Sequence, residues 1–441
     1  MSGAKEQPLL YGWGRLAAPG RELLSEDLAA ITVDVPLTRG LGRSYGDASL
    51  PPPKEPVAAA SRLADRILEL DPDRGRLRAE AGCSLFDLNR LLWPRGWAMP
   101  VSPGTQQVTV GGMVAADIHG KNHHVAGSFG RYVRSLGMRL ADGTRVECSR
   151  QYDSALFRAT LGGMGLTGHI LEAELELERI PSPWLEVERC RFGTVTELAT
   201  ALREASREWP MTAAWIDGAH RDWRGVLLVG RWAPPEDRPR RPPAPRDGFT
   251  VPMDAPSWLL NRPALRGFNG LNWLRNTDRR LRRVHPQEFL YPLDGVGEWS
   301  RLYGRRGMTQ WQCVLPAEAG PEGVRKCLER VRLHGATSYL AVLKDFGAEG
   351  EGLLSFPMPG FTLALDFPVT PGTQSLIDGL NEWLVAWGGR IYLAKDAFTR
   401  PAHFRAMERE ALERFDAVRE RYDRERRIRS RLSVRLLGDP E

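Results

Sequence analysis

The chain has only five cysteines in 441 residues, Cys83, Cys148, Cys190, Cys313 and Cys327, and no two of them form a CxxC pair. That scarcity argues against a zinc ribbon, a dithiol redox motif or a disulfide framework, so the thiols are expected to be buried. Long apolar runs are also missing: nowhere do about 18 uninterrupted apolar residues occur, the length a membrane-spanning helix needs. Residues 1–10 lack the basic start and apolar core of a secretory signal, so the expected location is the cytoplasm. A strong excess of one charge is absent too, since 61 Lys+Arg face 55 Asp+Glu. The small surplus still permits contact with phosphate, on nucleic acid, an anionic lipid surface or a metabolite.

What is present is a globular composition, 42% apolar and 26% charged, in a chain too long for one ordinary core. Residues 65–70, 77–81 and 170–177 read as strands, the last by its alternation of apolar and acidic residues, and 85–92 and 154–160 read as helices. This is an α+β layout. Composition changes after Pro181-Ser182-Pro183, where a second α+β stretch begins. Within that stretch, 234–247 is rich in Pro and Arg and is expected to be a loop. Residues 261–284 combine Leu, Phe and Trp with seven arginines and one acid, which suits either a phospholipid surface or a solvated loop. From Pro401 onward Phe404, Met407, Leu412, Phe415 and Tyr422 fall at near-helical spacing, predicting a packed terminal helix.

Three glycine-rich stretches compete as phosphate sites. Gly163-Met-Gly165-Leu-Thr-Gly168 matches the dinucleotide fingerprint in form. That fingerprint needs a strand before it and a helix after it; here the order is reversed, which weakens a Rossmann reading. The segment 39–47, RGLGRSYGD, follows an apolar lead-in, and its glycines let successive main-chain amides curl into a nest, with the arginines adding charge. The segment 103–124 places Gly111 and Gly112 at the mouth of an apolar helix expected over 113–118, bare enough to lie against a flat ring or a diphosphate. His119, His123 and His124 invite a metal reading, but Gly120 sits where a zincin carries its glutamate and no third ligand is evident, so no metal is expected.

Taken in order, RGLGRSYGD, PGTQQVTVGG, DIHGKNHHVAGSFG and GGMGLTG resemble the flavin domain of the vanillyl-alcohol-oxidase superfamily. The likeness continues through TAAWIDG, YPLDGVGEW, TQWQCVLP, VLKDFG, LSFPMPGF and GGRIYLAKDAF, and is closer still to that superfamily's polyprenyl-phosphoryl-ribose oxidases. The resemblance implies a two-part FAD-binding domain, residues 1–180 completed by 390–441, with an inserted antiparallel-sheet substrate-capping domain at 181–389. Covalent members carry a histidine in the first glycine loop; Tyr45 there implies FAD held non-covalently. The implied cofactor shell is Gly40, Leu41, Gly42, Arg43, Ser44, Tyr45, Gly46, Gly104, Thr109, Val110, Gly111, Gly112, His119, Gly120, Lys121, Asn122, Ile170 and Tyr392. The implied substrate side is Trp215, Gln310, Gln312, Lys344 and Thr362, with Lys395 as catalytic base assisted by His119.

Thr362 and Ala364 stand where the mycobacterial enzymes have Asn and Cys, and Leu290 where they have a pocket tyrosine, so the pocket is altered. The resemblance implies oxidation of the 2′-hydroxyl of polyprenyl-phosphoryl ribose to a ketone, the first half of an epimerisation to the arabinose form used in cell-wall arabinan, completed by a separate NAD(P)H-dependent reductase. It also implies peripheral contact with the inner membrane through 261–284 and no nucleic-acid partner. Two other readings stay open at this point: a soluble sugar-alcohol or aldonolactone oxidase, and a flavin-free binding protein on the same fold.

Overall fold

A computed structural model describes residues 8–235, 249–256, 262–276 and 280–441. Most of the proline- and arginine-rich stretch, 236–247, therefore lies outside the described residues, as do 261 and 277–279 of the arginine-rich one. Near the start, β1 (Arg21–Leu24), β2 (Thr38–Arg39) and β3 (Val57–Ala60) form a parallel sheet in the order β1-β3-β2. β3 reads VAAA and is almost wholly buried, as a central parallel strand should be. The first glycine segment leaves from the carboxyl end of β2, the end at which open parallel sheets receive ligands.

A five-stranded antiparallel sheet follows, in the order β7-β6-β8-β5-β4: β4 (Ile67–Asp71), β5 (Arg76–Glu80), β6 (Val133–Arg139), β7 (Arg145–Ser149) and β8 (His169–Glu176). The alternation in β8 sorts its side chains. Ile170, Ala173 and Leu175 are buried, while Glu172 pairs with Arg78, and Glu174 and Glu176 pair with Arg134 at 3.2 and 2.6 Å. Helix α1 (Leu85–Leu92) starts on the Ser84 hydroxyl, which accepts from the amide of Asp87, and buries Leu85, Leu88 and Leu92. Helix α2 (Val110–Ala115) lies three residues earlier than the sequence suggests. Thr109 is a stronger cap than anything at 112, and Asp117, at φ +38°, ends the helix before Ile118. Helix α3 (Ser154–Thr160) precedes the GxGxxG segment and β8 follows it, the reverse of a Rossmann unit.

The largest sheet has eight strands in the order β12-β9-β11-β10-β14-β15-β13-β16: β9 (Leu185–Phe192), β10 (Met211–Ile216), β11 (Gly225–Trp232), β12 (Arg282–Val284), β13 (Met308–Pro316), β14 (Ala341–Phe346), β15 (Gly360–Pro368) and β16 (Arg390–Ile391). All its pairings are antiparallel. Helix α4 (Val195–Ala205) carries a capping box between Thr194 and Glu197, and α5 (Arg262–Arg275) lies in the arginine-rich stretch. Helices α6 (Gly320–Leu333) and α7 (Thr373–Ala386) cover one sheet face, where Leu343, Leu363, Leu365 and Trp311 are buried and the Trp311 indole donates to Asn381 Oδ1 at 2.8 Å. The opposite face carries the polar residues of the site.

Helix α8 (Pro401–Tyr422) buries Phe404, Leu412 and Phe415 as its spacing predicts, leaving Met407 and Tyr422 half-buried. Beyond it α9 (Arg431–Leu437) returns to the N-terminal part: the amides of Arg429 and Arg431 donate to Pro36 O and Leu50 O, both at 2.9 Å. Four of the five cysteines are buried; Cys190 is only half-buried, correcting the expectation for that one.

Candidate active site

The first and third glycine segments meet. A Cβ on Gly40 would lie 2.5 Å from Thr109 Oγ1, so only a glycine lets the two chains pass this close. The amides of Leu41, Gly42, Arg43 and Ser44 donate to no acceptor among the described residues. Successive free amides of this kind form a nest for anionic oxygens. Gly111 and Gly112 behave otherwise. The amides of Val110, Gly111 and Gly112 are taken by Cys83 O, Ala81 O and Thr109 Oγ1, so the mouth of α2 holds no spare donors and the reading of it as the diphosphate cradle is corrected. The charge expected from Arg39 is also spent: its guanidinium binds Glu22, Ser49 and the Tyr11 carbonyl from beneath the loop. Arg43 stacks over Trp13 at 4.2 Å.

Behind Tyr45 a second clamp fixes the loop. Arg435 of α9 bonds both oxygens of Asp47 (2.7 and 2.8 Å) and reaches Asp396 at 2.8 Å, while the Tyr45 amide donates to Ala394 O at 2.9 Å. Residues some 350 positions apart in sequence thereby share one wall.

His119 is not on a helix: it pairs with Ser128 in an isolated β-bridge. The i,i+4 face that a metal site would need does not form. His123 turns to Ser128 Oγ and the Gly347 amide, and His124 to Trp209 O. The His119 ring is 6% exposed, boxed by Phe346, Tyr392 and Phe356 at centroid distances of 4.8, 5.3 and 5.9 Å. Its Nε2 meets Gln312 Nε2 at 3.0 Å, and its Nδ1 is buried without a partner among the described residues. A chain of donors sets the tautomer. Thr362 Oγ1 donates to Cys313 O at 2.8 Å, so it can only accept from Gln312 Nε2 at 3.2 Å. The Gln312 amide group therefore faces His119 with N–H, and the ring must accept at Nε2 and carry its proton on Nδ1. Burial, reinforced by the cations of Lys344 and Lys395, holds the imidazole well below its ordinary pKa and hence neutral.

One face of the large sheet supplies the other wall. Antiparallel register sets Trp215 opposite Val342, Val342 opposite Ala364, Ala364 opposite Gln312, Lys344 opposite Thr362 and Asp366 opposite Gln310. Directly opposed residues, and residues two apart on a strand, share a face, so Trp215, Lys344, Thr362, Gln310 and Gln312 all point the same way. Lys344 is half-buried and burial pushes its amine down to about 8. Lys121 donates to Leu290 O at 2.9 Å, with burial lowering it to about 7. Leu290 thus takes part through its carbonyl, and its side chain lines a small cavity with Lys121, Asn122 and Trp232.

Lys395 lies in the turn after β16, its Nζ 3.7 Å from the centroid of the Tyr45 ring. Tyr392, three residues earlier, donates its hydroxyl to Ala116 O at 3.0 Å and its amide to Gln312 O at 3.0 Å, joining the glycine segment to the sheet. Ile170 is buried in β8 beside His169, whose ring meets Thr38 Oγ1 at 2.7 Å. Sequence reasoning missed Asp366, wholly buried and held by Gln310, and the ring group of Trp13, Trp299 and Tyr303 around Tyr45. The signal for Asp366 was there: Thr362, Ala364 and Asp366 alternate with Phe361, Leu363, Leu365 and Phe367.

The residues present fit a flavin nucleotide. The amides of 41–44 are free, the His119 Nδ1 donor is orphaned, and Cβ atoms at Gly104 and Gly165 would project into open space. A model of the FAD binding domain matches residues 33–149, the stretch containing both glycine segments. The chain is 33% identical over 420 residues to decaprenylphosphoryl-β-D-ribose oxidase of Mycolicibacterium smegmatis, covering 90% of this chain and 91% of that one. It is 35% identical to an uncharacterized protein in the mprA 5′ region of Streptomyces coelicolor, over 74% of this chain and 92% of the relative. A shorter match, 30% over 142 residues, reaches the Delta(24)-sterol reductase of Mus musculus over 32% of this chain and 27% of that protein. An FAD-binding stretch, together with this degree of identity along nearly the whole length of both chains, makes the protein an FAD-dependent oxidoreductase that belongs to the decaprenylphosphoryl-β-D-ribose oxidase family.

Proposed function

We propose that the chain oxidises the 2′-hydroxyl of a polyprenyl-phosphoryl-β-D-ribose to the 2′-ketone, using non-covalent FAD. The observation that carries this reading is the meeting of Lys344, Lys395 and neutral His119 around one polar sheet face, against the glycine segments. In this reading 1–180 and 390–441 hold the cofactor and 181–389 caps it. The amides of 41–44 take the diphosphate, Gly104, Gly111, Gly112 and Gly120 let the main chain pass close to the ligand, and Thr109, Asn122, Ile170 and Tyr392 shape the ring pocket. The bound cofactor supplies the acceptor for a hydride from the carbinol carbon. Lys395 receives the hydroxyl proton at Nζ, and His119 offers Nδ1–H to the substrate oxygen. Lys344 and the arginines of the capping part hold the phosphate, Lys121 stays on the cofactor side, and Trp215, Gln310, Gln312 and Thr362 line the sugar site.

A 2′-ketone so made is the substrate of a separate NAD(P)H-dependent reductase, which completes the epimerisation. The lipid end of such a substrate calls for a membrane surface, and α5 offers one. Phe268, Leu271 and Leu274 are 68%, 48% and 65% exposed at a spacing of three, with Leu281 nearby and exposed Arg266, Arg275, Arg280, Arg282 and Arg283 around them. Among the described residues no helix is long and apolar enough to cross a membrane.

Anaerobic mixing of the FAD-loaded protein with polyprenyl-phosphoryl ribose should bleach the flavin band at about 450 nm. Bleaching by free alditols or aldonolactones, with none from the lipid-linked sugar, would reject the assignment.

A further inference from the structure

Asp366 sits in β15, a strand with no other charge, and is 0% exposed. One of its oxygens accepts from Gln310 Nε2 and the other from the Tyr303 hydroxyl at 3.4 Å. A buried carboxylate with two neutral donors still needs a cation to offset its desolvation. Lys395 is the cation on hand. Its Nζ lies on the face of Tyr45, and Tyr45 and Tyr303 pack against the same Trp299 ring, at 6.3 and 6.2 Å. Among the described residues no carboxylate comes within 4 Å of Nζ: adjacent Asp396 is bound to Arg435. Facing Lys395 from the other elements are Lys344 on β14, neutral His119 and the Tyr45 ring; facing Asp366 are Gln310, Tyr303, Tyr45 and Lys395.

We infer that Asp366 is a positioning residue for the reaction, the buried counter-charge that balances Lys395 when that amine takes the substrate's proton. The statement rests on the reading of Lys395 as the base. In the step, the carbinol carbon loses a hydride to FAD, which is reduced by two electrons, and the hydroxyl loses its proton to Nζ as the C=O bond forms. The positive charge so created appears in a buried place, and Asp366 stabilises it without touching substrate. Burial raises the carboxyl and lowers the amine, while the Asp366 carboxylate holds the amine's affinity for a proton up and Lys344 presses it further down.

The test is Asp366→Asn in the FAD-loaded protein, read in two ways. Asn keeps the oxygen that accepts from Gln310 and places an amide N–H toward the Tyr303 oxygen, so the packing survives. Without substrate, the pH dependence of reductive methylation at Lys395, followed by peptide mass spectrometry, should shift its midpoint down by about one unit. With substrate, the acidic limb of the pH profile for flavin bleaching should move down with it. Tyr303→Phe, which only loosens the hold on the carboxylate, should give a smaller shift in the same direction and serves if the Asn protein folds poorly. An unchanged methylation midpoint in both variants overturns the inference. Parental bleaching by Lys395→Ala would instead overturn the reading of the base, and the substrate-free methylation data tell the two failures apart.

Discussion

Replacing Thr362 by valine tests whether the tautomer of His119 is dictated from the sheet. Valine keeps the shape of threonine but can neither accept from Gln312 nor donate to Cys313 O, the two bonds at 3.2 and 2.8 Å that orient the Gln312 amide. The position is 2% exposed, so no solvent replaces the lost partner. Leaving a buried N–H unpaired costs about 1–3 kcal/mol, which should appear as a lower thermal midpoint of the FAD-loaded protein. The larger consequence is at His119. Once Gln312 can turn its oxygen toward the ring without losing a bond elsewhere, about 1 kcal/mol of tautomer preference disappears, roughly a fivefold change in population. The assay is nitrogen-15 NMR of the histidine rings. The parental protein should show His119 as the Nδ1–H tautomer, uncharged at neutral pH because burial and the nearby lysines depress its pKa, whereas Thr362→Val should show a mixture. A parental ring protonated at Nε2, or one that is charged at neutral pH, refutes the donor chain.

Under the proposed role for Lys344, its amine can hold phosphate as a cation only below its lowered pKa of about 8, so the KM for a lipid-phosphate sugar should climb as pH rises past that value. Lys344→Gln should flatten that climb and raise KM about tenfold at neutral pH, the worth of one charge-assisted hydrogen bond. Arg435→Met strands the carboxylates of Asp47 and Asp396, whose side chains are 3% and 6% exposed. The loss should cost about 3 kcal/mol and release FAD, seen as a lower thermal midpoint and a rise in free-flavin fluorescence; an unchanged midpoint would remove the clamp from the account. Exchanging Phe268, Leu271 and Leu274 for serine should weaken co-sedimentation with vesicles rich in anionic phospholipid by about tenfold or more without altering bleaching by a short-chain substrate. Equal binding by the parental protein to neutral and anionic vesicles would speak against the arginines' part in it.

Local features were readable from sequence because their causes are local. A serine before an amphipathic run and a strand of alternating apolar and acidic residues each announce themselves within ten residues, and α1 and β8 formed accordingly. The start of α2 was misjudged by three residues for a reason equally local: the threonine at 109 captures Gly112 N–H and draws the helix back over the two glycines. That displacement has a chemical price, since the amides thought to face a diphosphate become internal, while those of 41–44 stay without a partner among the described residues.

Asp366 was hidden for a different reason. Its strand can be read as two faces from period-two alternation alone, but which face meets the cofactor depends on pairings to β13 and β14, whose sequence positions lie some 20 to 55 residues away. Slipping either pairing by one residue would turn Asp366 toward α6 and α7, into an apolar layer with no cation to offset it. The same slip would expel Leu363 and Leu365 from the core. Packing of the leucines against the helices thus selects the register, and the register delivers the carboxylate to Lys395. On this argument hydrophobic burial, not any attraction between the charged groups, brings the acid and the amine to one wall, and their charges then adjust to a distance already set.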